Sequence, residues 1–167
     1  MDSIMIFKPR RSTGWIWVGA IGLAPLAVSL GMIVMIGFSG PILVTILLPS
    51  LIGAGFLFIA VCFPSMHYEI RESSLLITYG PLLHYNVNLA EIKSIRRRDL
   101  GFSVISSFRF PGLALFGVPY PEIGIVNMCA TASSNCILII EAGSKKYGIT
   151  PADEAQFVAE LRKHMGT

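Results

Sequence analysis

Polar and apolar positions fall into two regimes along this chain. From Ser12 to Tyr68 there is no Asp, Glu, Lys or Arg, and two apolar runs, residues 15–38 and 42–63, meet at Phe38-Ser39-Gly40-Pro41. At about 1.5 Å of rise per residue, either run as a helix exceeds the roughly 30 Å hydrocarbon layer of a bilayer. A soluble fold would need far more surrounding protein than this chain supplies to cover both. One span with a re-entrant segment is the other competing arrangement. The pattern predicts a two-helix transmembrane hairpin over residues 15–63 that meets the lipid bilayer directly. The first run is too long and too apolar for a simple signal peptide, and no small-x-small cleavage pattern follows it, so it is expected to stay attached.

The flanks predict the orientation. Lys8, Arg10 and Arg11 precede the first run, the connecting turn is uncharged, and Arg71 is the first basic residue after the second run. Positive residues stay inside, which places the basic N-terminal segment, residues 1–14, and the long C-terminal part, residues 64–167, in the cytoplasm. The expected location is the cytoplasmic (inner) membrane, multi-pass. Trp15 and Trp17 stand where interfacial aromatics belong, and Pro25 and Pro49 inside the runs are tolerated in membrane helices. Gly19, Gly22, Gly31, Gly37, Gly53 and Gly55 supply small surfaces for packing within the hairpin, or against a partner or second copy. Neither run holds an ionisable side chain of the kind that ion and proton pathways place at depth, so the hairpin reads as an anchor.

Beyond residue 64 the pattern is mostly period two. Residues 66–71 alternate toward a turn at Glu72-Ser73-Ser74, and residues 75–79 return. Residues 83–89 give a third strand with Leu83, Tyr85, Val87 and Leu89 on one face, and residues 91–98 continue through a bend or bulge. Residues 102–110 read as another strand, followed by an aromatic-rich loop between Pro111-Gly112 and Pro119-Tyr120-Pro121. Residues 124–131 and 136–141 read as a strand pair, and residues 145–149 as a last strand. Thr150 as cap, Pro151 at the first helical position and Asp153 two further on then predict a helix whose stripe is Phe157, Val158, Leu161 and Met165. Antiparallel strands followed by one amphipathic helix suggest a rolled or partly open barrel covered at one end.

Particular strings narrow this. The hairpin of residues 68–80, the Val87-Asn88-Leu89-Ala90-Glu91-Ile92-Lys93-Ser94-Ile95 strand with its Glu-Ile-x-x-Ile ending, the glycine-aromatic segment 108–117 and the strand, Thr-Pro cap and helix of residues 146–161 occur in order. Together they resemble the bacterial pleckstrin-homology-like (PH-like) domains, in the membrane-attached branch that carries an N-terminal pair of membrane helices. The resemblance covers roughly residues 65–165. It implies a seven-stranded barrel-like fold capped by a helix, and it supplies no catalytic motif. The phosphoinositide-binding role of eukaryotic relatives does not transfer, because no matching phosphate-binding motif is present.

Charge changes this picture little. Residues 1–63 carry a net charge of +2 and residues 64–167 a net +1, so the total of +3 is mostly the topology signal and no argument for nucleic acid. Cys129 and Cys136 read as small buried strand residues in a reducing compartment, with pairing or reactivity as the alternative, and Cys62 as the end of the second span. His67, His84 and His164 are dispersed, and no Gly-x-Ser-x-Gly elbow, phosphate loop or metal spacing occurs, so neither an enzyme nor a cofactor is expected. The one dense basic cluster is Lys93, Arg96, Arg97 and Arg98, with Arg109 beyond it. It fits a solvated strand edge, a contact with anionic lipid headgroups, or a contact with a protein partner. Phe102, Phe108, Phe110, Phe116 and Tyr120 crowd one neighbourhood, as barrel core or as an exposed recognition edge. The expected function is a non-catalytic, membrane-tethered recognition or scaffold module that binds a protein partner or self-associates. Anionic-lipid sensing and a structural place in a larger membrane complex are the alternatives.

Overall fold

The computed structural model of the chain describes residues 4–36, 40–100 and 108–165. The chain divides into two compact units, Trp15–Phe63 and the combination of Met1–Gly14 with Pro64–Thr167.

The first unit is the helical pair. Helix α1 spans Gly14–Ile36 and α2 spans Gly40–Val61, each running through its proline without a break in helical assignment. Both contain segments long and apolar enough to cross a membrane, and only 17% of each segment is buried, unlike the core helix of a soluble protein. The helices meet at two glycines: a Cβ on Gly22 would lie 2.9 Å from the Gly53 carbonyl oxygen, and one on Gly53 would lie 2.6 Å from that of Gly22. Ser29, almost fully buried, sets its hydroxyl 2.9 Å from the Pro25 carbonyl and 3.3 Å from that of Ile46 on the other helix. Gly31 and Gly55 meet nothing within 4 Å. The predicted break at Phe38-Ser39-Gly40-Pro41 lies partly outside the described residues, and α2 is already under way at Gly40.

The second unit holds two sheets. The first has β1 (Met5–Phe7), β2 (Met66–Ile70), β3 (Ser74–Tyr79) and β4 (Leu83–Asn88), antiparallel in that order. The second has β5 (Ile92–Arg98), β6 (Arg109–Phe110), β7 (Leu113–Tyr120), β8 (Gly124–Ala130), β9 (Ile137–Ala142) and β10 (Lys145–Ile149), in the order β5-β9-β10-β8-β7-β6. Helix α3, Glu154–Met165, follows. Two long apolar helices, mainly antiparallel sheets and a C-terminal helix agree with the expected fold class. Among the described residues, however, the sheets do not close into the seven-stranded barrel that the resemblance implied.

Several local expectations are corrected. The stretch expected as an aromatic-rich loop is mostly strand β7, whose Leu113, Ala114, Leu115, Val118 and Tyr120 are buried. Leu113, Ala114 and Leu115 are buried in succession, so no period of two marks the strand, and Phe116 follows with a left-handed φ of 64°. Of the strand expected at residues 102–110 only Arg109–Phe110 is seen, and residues 101–107 fall outside the described set. Strands β8 and β9 are not neighbours, since β10 lies between them, antiparallel to β9 and parallel to β8. The helix cap is Asp153, whose Oδ1 accepts from the Gln156 N–H at 2.9 Å. Thr150 is instead buried, its hydroxyl accepting from the Thr131 N–H at 2.8 Å. Cys129 is buried as expected, whereas Cys136 is half-buried in a bend before β9, at a φ of 55°. The bend or bulge expected within residues 91–98 corresponds to a shift of register between Ile92 and Ser94.

The N-terminal segment is ordered into this unit. Met5, Ile6 and Phe7 pair with Ile70, Glu69 and Tyr68. Beyond them, the Arg10 N–H donates to the Thr150 carbonyl at 2.8 Å and the Ala152 N–H to that of Lys8 at 2.9 Å. The segment thus links the first sheet to the chain leaving β10. Phe157 of α3, fully buried, packs edge-on against Phe7 and Tyr68, with ring centroids 5.2 and 6.2 Å away. Tyr68 ties the layers together: its hydroxyl donates to the Cys129 carbonyl at 2.8 Å and accepts from the Thr150 N–H at 3.2 Å.

Candidate functional site

The register of β5 on β9 sorts the basic cluster by face, because directly opposed residues of an antiparallel pair project to the same side. Arg96 opposes Ile139 and Arg98 opposes Ile137. Those isoleucines belong to a buried cluster with Leu100, Ala114, Val118 and Tyr120, so Arg96 and Arg98 border it. Arg97 opposes Leu138 and projects to the other side. There its guanidinium donates to the Cys136 Sγ at 2.8 Å and lies 4.0 Å from a Glu154 carboxylate oxygen. The bond to the Cys136 sulfur is the main cause of a further rise in the Arg97 pKa. Lys93, at the bulge, donates to the Gly143 carbonyl at 2.9 Å. Lys93 and Arg97 are therefore engaged by their own domain, while Arg96 is exposed and Arg98 half-buried.

Arg109 stands apart in strand order. It lies on β6, at the opposite end of the sheet from β5. There it opposes Ala114, and its guanidinium carbon sits 5.1 Å from the centroid of the Tyr120 ring. Ala114 and Tyr120 both belong to the cluster that Arg96 and Arg98 border. Arg109 thus shares their face of the sheet but flanks it from the other edge. Burial raises the Tyr120 phenol pKa against the lowering effect of Arg109.

The aromatic residues beside Arg109 form a chain of their own. Phe108 meets Phe110 and Phe116 edge-on, with centroids 4.9 and 5.8 Å apart. Tyr120 is buried, Phe108 and Phe110 are half-buried, and Phe116 is 38% exposed. Phe102 lies outside the described residues. The β6–β7 turn is also fixed to the N-terminal segment: the Ser12 hydroxyl donates to the Gly112 carbonyl at 2.6 Å and accepts from the Gly14 N–H at 3.0 Å. Neither Gly14 nor Gly112 has room for a Cβ there, and Gly112 has a φ of 81°. Sequence reasoning missed this contact, whose only trace is small residues at both places.

Chemistry elsewhere is sparse. Among the described residues no three His, Cys, Asp or Glu side chains gather as a metal site. The His67 Nε2 lies 3.4 Å from Glu69, and the His164 Nδ1 lies 2.9 Å from the Glu160 carbonyl. Burial pushes the Cys129 thiol pKa up, which suppresses the reactive thiolate.

Comparison with known proteins places these features in a family. The family described as Bacterial PH domain matches residues 66–165. No curated protein and no solved structure matches the chain.

Proposed function

Because the chain belongs to the bacterial PH domain family, we propose that it is a membrane-tethered, non-catalytic recognition or scaffold module whose cytoplasmic domain binds a protein partner. The observation that carries this reading is the pairing of Met5–Phe7, before α1, with β2, after α2. A chain that crosses a bilayer twice returns to the face it left, and this pairing requires both flanks on one face. Lys8, Arg10 and Arg11 on that face support its being the cytoplasmic one. The domain is thereby attached through both ends of the hairpin. Tethering raises its effective concentration toward other membrane components.

Within the domain, the edge at β5 is the proposed recognition surface. Among the described residues β5 pairs only with β9, and Arg96 and Arg98 lie on the face of this edge strand that borders an apolar cluster. That combination suits an acidic partner surface. The test is purification of the full chain in mild detergent, beside the double substitution Arg96→Glu and Arg98→Glu. The expected result is a stoichiometric protein partner that the charge reversal removes. A partner retained by the reversed chain, or a reproducible monomer in both preparations, contradicts the reading.

A further inference from the structure

We propose that the β6–β7 hairpin is a membrane-contact site, in which Phe108, Phe110 and Phe116 enter the headgroup layer and Arg109 and Arg11 meet anionic phospholipid. This inference rests on the reading that residues 15–63 cross the bilayer. It starts from the hydrogen bond of Ser12 to Gly112, which fixes the turn of this hairpin to the last residues before the apolar helix. Gly14 is buried against Gly112 and is also the first residue of α1. Covalent continuity therefore holds the turn within a residue or two of the start of the apolar helix.

The side chains there suit that depth. Three phenylalanines in edge-to-face contact present apolar rings that remain partly open to solvent. Phe116 holds a left-handed backbone conformation that bulky residues rarely adopt, and it is the most exposed ring of the three. A strained position that keeps an aromatic ring exposed is poor economy for a core, and it points to a surface use. Arg11 is exposed immediately before Ser12, and Arg109 follows Phe108. The cytoplasmic leaflet is the anionic one, so cations and aromatic rings at its surface match both its charge and its polarity gradient.

The test uses the full chain in nanodiscs of phosphatidylcholine, with or without phosphatidylglycerol. A photoreactive benzoyl-phenylalanine is placed in turn at position 110, at position 86 on β4, and at position 15. Position 110 should crosslink to phospholipid several-fold more than position 86. Phosphatidylglycerol should raise the yield at 110 by several-fold, and the double substitution Arg11→Gln and Arg109→Gln should abolish that increase. Background crosslinking at 110 with strong lipid crosslinking at 15 overturns the inference and leaves the spanning reading standing. Background at both positions overturns the spanning reading itself. Crosslinking of position 110 to a protein in place of lipid also overturns the inference.

Discussion

Tyr68 shows how much one side chain fixes in this domain. Its ring is fully buried against Phe157, and its hydroxyl serves a carbonyl of β8 and an amide of the chain leaving β10. Tyr68→Phe keeps the shape but removes the hydroxyl from both backbone groups, so it should cost about 1–3 kcal/mol, read as a lower thermal midpoint of the full chain in detergent. A midpoint equal to wild type would remove Tyr68 from this role. Tyr85 supplies a pH test: burial pushes its phenol pKa up to about 12 from an ordinary value of 10.0. A proton held more tightly in the folded state gives stability that is complete below pH 10 and is lost as pH rises toward about 12. Tyr85→Phe should therefore flatten the alkaline fall in melting temperature over that window, and an unchanged fall would contradict the assignment. At this scale, the inward faces of β2, β3 and β4 were legible because one-sided burial leaves a period of two. The Asp153 cap was not, since Thr150, Pro151 and Asp153 all carry capping signals and tertiary burial of Thr150 decides among them.

Among the elements, β1 is the least visible in sequence and among the most consequential. Three residues, Met5–Phe7, carry no readable periodicity, and their partners Tyr68–Ile70 lie beyond the whole helical pair. Phe7→Asp should detach β1 by burying a carboxylate against Phe157, so backbone amides of β2 should exchange faster while those of β9 keep wild-type protection. Equal protection of β2 in both chains would show that β1 is dispensable. The hairpin offers a second contrast within its own unit. Gly22→Leu and Gly53→Leu meet the facing helix backbone and should lower the thermal midpoint in micelles, whereas Gly31→Leu and Gly55→Leu enter open space and should not. Equal effects at all four positions would contradict the observed crossing. The place of β10 between β8 and β9 was illegible for a general reason: strand pairing across the chain leaves no local mark, and neighbouring strands were the simplest reading. The basic cluster was legible as a group. Its division was not, because it follows from register and from the Lys93 and Arg97 partners.

For the whole molecule, the apolar pair, the strand-rich domain and its bacterial PH family were all readable, because hydropathy and ordered short motifs survive in sequence. Sheet closure was not, because it depends on which edges meet. The central claim is that both flanks of the hairpin fold together on the cytoplasmic face. It is tested most directly by thiol labelling in sealed membrane vesicles of known orientation, with Cys62, Cys129 and Cys136 all replaced by Ser. Single cysteines Ile4→Cys, Ser39→Cys and Glu72→Cys are treated with a membrane-impermeant maleimide. Ile4→Cys and Glu72→Cys should label only from the cytoplasmic face and Ser39→Cys only from the opposite face. Labelling of positions 4 and 72 from opposite faces, or of position 39 from the cytoplasmic face, would contradict the claim.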